Sequence, residues 1–182
     1  RLFKNIDFRH RKNRDACQAY CAMDLGEFEN INARQAWANW RSIPRNLSGR
    51  LPNRAVNIID LCSGTGQSSA VLAFYAPAGS RVLGLEFNAQ FVDLARRRSY
   101  WHLDGANADV TFRTQSVLDT FRAADETPIE DGSIDVVNAS GAVGCHFDTA
   151  ATTVLANEVR RVLKPSGLAL IDSGSSGTSS DE

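Results

Sequence analysis

From residue 56 onward, short apolar runs alternate with longer stretches whose apolar positions recur at helical spacing. The runs 56–61 (VNIIDL), 81–86 (RVLGLE), 110–115 and 134–139 (IDVVNA) read as strands, and 168–171 as a fifth. Residues 67–75 (QSSAVLAFY) read as a helix ended by Pro77 and Gly79. Residues 89–102 read as a second helix, with Phe91, Leu94 and Ala95 on one face. Residues 117–124 read as a short helix, and 149–163 as a longer one stopped by Pro165 and Gly167. Strands alternating with helices imply a parallel sheet with right-handed crossovers. Near-continuous apolar strands fit a sheet covered on both faces. In such open sheets, ligands sit beyond the carboxyl ends of the strands, where the strand order reverses. Functional residues are therefore expected just after each strand.

The ends of the chain depart from this pattern. Residues 1–54 are polar and hold Trp37 and Trp40, with helical character at 32–40 and a proline-interrupted connector at 42–52. They read as a helical lid or flank on a ligand-binding domain at 55–172. Trp37, Trp40 and Tyr20 suit a seam between lid and body, or the wall of a substrate pocket. Residues 173–182 are Ser- and Gly-rich and read as a flexible tail.

Charge divides along the same line. Residues 1–54 carry 11 Lys and Arg against 5 Asp and Glu, and residues 55–182 carry 9 against 16. A basic leader on an acidic body suits a solvated surface, and it leaves an anionic substrate or RNA open. No apolar run approaches the roughly 20 residues needed to span a bilayer. The chain begins at Arg1, which fits a fragment or trimmed chain. Cys17, Cys21, Cys62 and Cys145 lack the spacing of a disulfide scaffold or a paired metal site, so no metal is expected. Reduced thiols fit a cytoplasmic protein.

The chemistry gathers at Asp60-Leu61-Cys62-Ser63-Gly64-Thr65-Gly66, between the first strand and the first helix after it. Gly64 and Gly66 permit a tight turn and close approach of a ligand to the backbone. The helix behind the turn presents free N–H groups. The second strand ends at Glu86, placed to accept hydrogen bonds from a ribose diol. A nucleotide follows from the pair. The third glycine of a dinucleotide fingerprint is missing, since Gln67, Ser68 and Ser69 follow Gly66. Asp60 would repel a pyrophosphate but favour a cationic amino group.

These blocks resemble the class I S-adenosylmethionine-dependent methyltransferases, of the small-molecule type. The resemblance covers about residues 55–171 and rests on IIDLCSGTGQSS, VLGLEFNAQFVDLARRR, VTFRTQSVLD, DGSIDVVNASGAVG and EVRRVLKPSGLALI. It implies a three-layer αβα Rossmann-like sandwich with S-adenosylmethionine as cofactor. By the same resemblance, Asp60, Cys62, Ser63, Gly64 and Gly66 hold the methionine part. Glu86 holds the ribose hydroxyls and Phe87 lies against the adenine. Ser116 and Val117 meet the adenine edge, and Asn138 lines the path near the sulfonium. Cys62 stands where the family usually has glycine, and Ser116 where it usually has an acid, with Asp119 as a substitute. The family's last helix and antiparallel strands are absent from this chain.

The loop after the fourth strand, Asn138-Ala139-Ser140-Gly141, lacks the Pro-rich aromatic tetrapeptide of DNA amino-methylating enzymes. Residues 138–148 hold no glutamate pair of the protein-arginine type. Asn138 replaces the aspartate that aminopropyl transfer uses on this fold. No catalytic residue is assigned, because alignment carries much of a methyl transfer. His146 is a candidate base, and equally a hydrogen-bonding surface histidine. The expected function is methyl transfer from S-adenosylmethionine to a small-molecule acceptor. A non-catalytic nucleotide-binding module and an NAD-dependent oxidoreductase are the alternatives.

Overall fold

The computed structural model describes residues 12–171. Residues 1–11 of the N-terminal flank and the tail at 173–182 lie outside the described residues. Two helices come first, α1 (Asn13–Cys21) and α2 (Leu25–Leu47). The sheet and its crossovers follow: β1 (Asn57–Leu61), α3 (Gln67–Tyr75), β2 (Arg81–Glu86), α4 (Ala89–Arg97) and β3 (Asp109–Thr114). After a long irregular stretch come β4 (Ile134–Ala139), the short α5 (Val143–His146), α6 (Thr149–Val162) and β5 (Leu163–Ile171).

All strand pairs are parallel, in the order β3-β2-β1-β4-β5. The order reverses between β1 and β4, so the switch point lies past Leu61 and Ala139, where the glycine turn also sits. Alternation along β1 sends Ile59 and Leu61 to one face of the sheet. There they pack with Leu85, Val137 and the α6 residues Leu155 and Val159. Ile58 faces the other way, onto Ile43 and Leu47 of α2 and Val71 and Leu72 of α3. Val92 and Ala95 of α4 cover Phe112 on that same side. The three-layer α/β architecture follows from these two packed faces.

The elements differ from the sequence expectations in four places. Helix α2 runs through Pro44 to Leu47, where a connector was expected. Ile43 and Leu47 lie one turn apart and are both buried, and that burial outweighs the proline. Pro44 sits in the last turn, and its carbonyl still accepts from Ser48 N–H at 2.9 Å. Helix α4 stops at Arg97 rather than 102, because Tyr100 turns inward onto Phe112 and donates to Ala95 O at 2.8 Å.

The short helix expected at 117–124 does not form. Val117 and Phe121 are both buried at helical spacing, which explains the expectation. Gln115 instead holds the backbone open, accepting from Arg122 N and donating to Thr120 O. Strand β5 starts at Leu163, five residues early. Between the pairs Ile134↔Leu163 and Val136↔Leu168 its register shifts, and Lys164–Gly167 loop out at that irregularity.

Candidate functional site

The sequence places a carboxylate near the end of each of the two central strands, and the fold buries both. Asp60 on β1 is fully buried. Its Oδ2 accepts from Ser68 Oγ at 2.7 Å and Ser69 Oγ at 2.6 Å, both in the first turn of α3. Its Oδ1 accepts from Asn138 Nδ2 at 2.7 Å, across the register pair that joins β1 to β4. Burial pushes its pKa up, while the three donors oppose that rise. Asp60 and Asn138 thus satisfy one another below the turn, sealed from the space above it.

Glu86 closes β2 and is also buried. Its Oε2 accepts from Gly64 N–H and its Oε1 from Asn88 N–H, both at 2.9 Å. Burial pushes its pKa up to about 7, against the pull of those amides. The glycine turn that supplies one amide is left-handed at three positions: Cys62 (φ 53°), Gly64 (φ 53°) and Gly66 (φ 86°). Cys62 therefore carries, as a non-glycine residue, the backbone conformation for which the family uses glycine. A side chain at Gly66 would run into the Tyr100 hydroxyl. Ser63 is buried beneath the turn.

Phe87, Ser116 and Asp119 come together at one cavity. With Arg113 and Thr120 they line an open cavity of about 390 Å³ beyond β3. Val117 does not join them: its side chain lies in the core beside Phe121. Sequence reasoning missed Gln115, which organises this wall. Its only signal was a polar residue at the end of an alternating strand.

The N-terminal helices roof the turn. Phe28 of α2 stacks on Phe91 at 4.0 Å between centroids, and its ring lies 3.1 Å from where a Gly64 Cβ would stand. Met23 and Tyr20 complete this apolar lining. Glu29, one residue on, accepts from Thr65 Oγ1, from Arg98 Nη2 at 2.7 Å and from Gln67 Nε2 at 3.5 Å. Asn88 Nδ2 donates to Tyr20 O at 3.2 Å. Gln35 covers Gly141, after β4. No local pattern announces that Phe28 and Glu29 meet a turn 36 residues away.

Beyond β4, the Tyr20 hydroxyl faces His146 Nε2 at 2.9 Å. Burial raises the Tyr20 pKa to about 12, so the phenol keeps its proton near neutral pH. Lys12 Nζ donates to Cys145 O at 2.6 Å, and Asn13 to Asp148. Trp40 joins the flank to the body at a different place, meeting Phe74 and Tyr75 of α3 edge-on, while Trp37 is 71% exposed. Among the described residues, no cluster of His, Cys, Asp and Glu could hold a metal ion. No helix among them is long and apolar enough to cross a membrane.

The left-handed glycine turn, an acid at the end of the next strand and a mostly polar cavity with Phe87 in its wall fit an adenosine-bearing cofactor. The Phe28 ring covers the turn at Gly64. Residues 58–167 match a family model described as a methyltransferase domain. The chain is 29% identical over 128 residues to a demethylmenaquinone methyltransferase of Lactococcus lactis, covering 70% of this chain but 45% of that protein. Among solved structures, it resembles a provisionally named S-adenosylmethionine-dependent methyltransferase from Methanococcus maripaludis. That likeness has TM-score 0.58 and 21% identity, over 80% of this chain and 60% of that one. It also resembles phosphoethanolamine N-methyltransferase 2 of Haemonchus contortus, solved with S-adenosylhomocysteine. There the TM-score is 0.53 and the identity 21%, over 74% of this chain and 27% of that one. The chain thus spans less than two thirds of each of these relatives. With the family model over most of its length and the parallel sheet of that fold, this chain belongs to the class I S-adenosylmethionine-dependent methyltransferase domains.

Proposed function

We propose that this domain transfers a methyl group from S-adenosylmethionine to a small-molecule acceptor. The observation that carries the reading is the placement of Glu86, Phe87, Ser116 and Asp119 along one edge of the switch point, beside the glycine turn. Glu86 would take the ribose hydroxyls, giving up a backbone amide for each. Phe87 would lie on the adenine, with Ser116 and Asp119 offering acceptors to its amino group. The backbone of Cys62 to Gly66 would hold the amino-acid part. Asp60 and Asn138 would support that turn from below.

The cofactor supplies a methyl group on a positively charged sulfur. This chain's task is to align the acceptor behind that carbon and to keep water out. The acceptor would enter between residues 138–148 and α1–α2, where His146 stands as the base candidate. The Lactococcus relative, named for a small-molecule acceptor, supports that class. The excess of basic residues in 1–54 makes RNA the acceptor to test against it.

Calorimetric titration with S-adenosylmethionine, S-adenosylhomocysteine and NAD tests the cofactor half. The first two should bind at micromolar concentration and NAD should not; the reverse pattern would defeat the proposal. A methyl-transfer screen against quinols, small amines, lipids and RNA tests the acceptor half.

A further inference from the structure

Glu29 is an acid from the cap seated in a set of donors that belong to the body. Thr65 stands in the glycine turn, Gln67 opens α3, and Arg98 follows α4. All three point at one carboxylate. The arrangement has the composition of a carboxylate site: a guanidinium, a hydroxyl and a side-chain amide at the start of a helix.

Glu29 fills it incompletely. It engages Arg98 through Nη2 alone, and Arg98 Nε is buried with no hydrogen-bond partner. A guanidinium presents Nε and Nη2 as a parallel fork matched to two carboxylate oxygens. One prong is used and the other is idle, although burying an idle donor costs free energy. The Gln67 contact, at 3.5 Å, is at the limit of a hydrogen bond. The residue before Glu29 is Phe28, whose ring lies over Gly64. One turn of α2 therefore covers the glycine turn with a ring and occupies its anion donors with an acid.

We propose that Thr65, Gln67 and Arg98 form the subsite for the α-carboxylate of the cofactor's amino-acid part, and that Glu29 is its stand-in while the cap is closed. The inference rests on the placement of adenosine in the preceding section. Two carboxylates cannot share the donors, so entry of the cofactor requires Glu29 to leave, and Phe28 leaves with it. The cofactor's carboxylate then takes both prongs of Arg98. Glu29 is a competitor of the ligand as well as a latch on the cap.

The test compares S-adenosylhomocysteine with its decarboxylated analogue, by calorimetry on the intact chain. Wild type should prefer the carboxylate-bearing ligand by about tenfold or more, the scale of a charge-assisted pair. Arg98→Gln should abolish most of that preference, and the analogue should bind it no more weakly than wild type, since the same change loosens Glu29. Equal losses for both ligands, or none, would overturn the subsite. Thr65→Val removes only a hydroxyl and should repeat the loss on a smaller scale, so a poorly folded Arg98 variant leaves the test standing.

Glu29→Ala should tighten S-adenosylhomocysteine several-fold, because a competitor is gone; weaker binding would overturn the stand-in role. Hydrogen exchange without ligand should speed up across residues 13–47 in Glu29→Ala, and unchanged exchange would sink the latch. If neither ligand binds wild type or Glu29→Ala, the cofactor reading itself fails. That failure is distinct from bound ligands that Arg98 does not discriminate.

Discussion

The ends of β1 and β2 each bring a buried carboxylate to the same corner of the sheet, and the two are held in opposite ways. Asp60 is tied by side chains from α3 and β4. Glu86 is tied by backbone amides of the glycine turn and of the step into α4. Side-chain donors from two other elements tie Asp60 into the scaffold, and Asn138 Nδ2 also reaches Ser140 Oγ at 3.3 Å. Glu86 sits beneath the N-terminal helices and is held by amides alone, which on the proposed reading would give way to a ligand. Two acids of like burial are thus held by side chains in one case and by backbone in the other.

The largest effect should follow Asp60→Ala, which takes the acceptor from buried Ser68 and Ser69 and leaves Asn138 with only its 3.3 Å contact to Ser140. It should cost about 4 kcal/mol of stability, read by urea denaturation. A loss under 1 kcal/mol would erase the contrast. Glu86→Ala should instead weaken cofactor binding by about 2 kcal/mol, the scale of hydrogen bonds to a charged group. Unchanged affinity would place the ribose elsewhere.

Acidity separates the two regions from the remaining carboxylates. Glu86 binds its proton more tightly folded than unfolded, so its share of stability is present below about pH 4.5 and lost as pH rises through about 7. Asp60 acts in the same direction. Asp135 behaves oppositely: burial works against its charge, but Arg54 and Lys164 hold it below the usual carboxylate range. Its contribution falls away only in strong acid. Stability should therefore decline between pH 5 and 8, by on the order of 2 kcal/mol, and Glu86→Gln should flatten the slope. A wild-type midpoint constant over that range would contradict the burial of Glu86. The smallest effect should come from Ser68→Ala. Asp60 keeps two donors, stability falls by about 1 kcal/mol, and cofactor affinity stays unchanged.

Much of the strand framework was legible because buried parallel strands write themselves as unbroken apolar runs. The turn from Asp60 to Gly66 was legible because few residue types serve a left-handed turn, and Glu86 stood out as an acid closing an apolar strand. The alternation of Val110 to Gln115 marked β3, yet it said nothing of how Gln115 would hold the stretch after it. Val117 and Phe121 imitate a helix face while lining an irregular segment. Pro44 reads as a stop until Ile43 and Leu47 are seen to share a core. The roof was the least legible part. No local pattern in 13–47 encodes the meeting of Phe28 with Gly64 or of Glu29 with Arg98, because such contacts are fixed by tertiary packing alone.

The length of α2 has a mechanical consequence. Its C-terminal end is anchored in the core by Ile43 and Leu47, while Phe28 and Glu29 sit near its other end. Fifteen residues separate Phe28 from Ile43, an arm of about 22 Å at 1.5 Å per residue. A pivot of about 10° at the anchored end would carry the Phe28 ring through about 4 Å, about the width of a methyl group. A small rearrangement in the core would thereby be geared up into a larger displacement over the glycine turn. Substitutions around Leu47, far from any ligand, would then set how often that turn is uncovered.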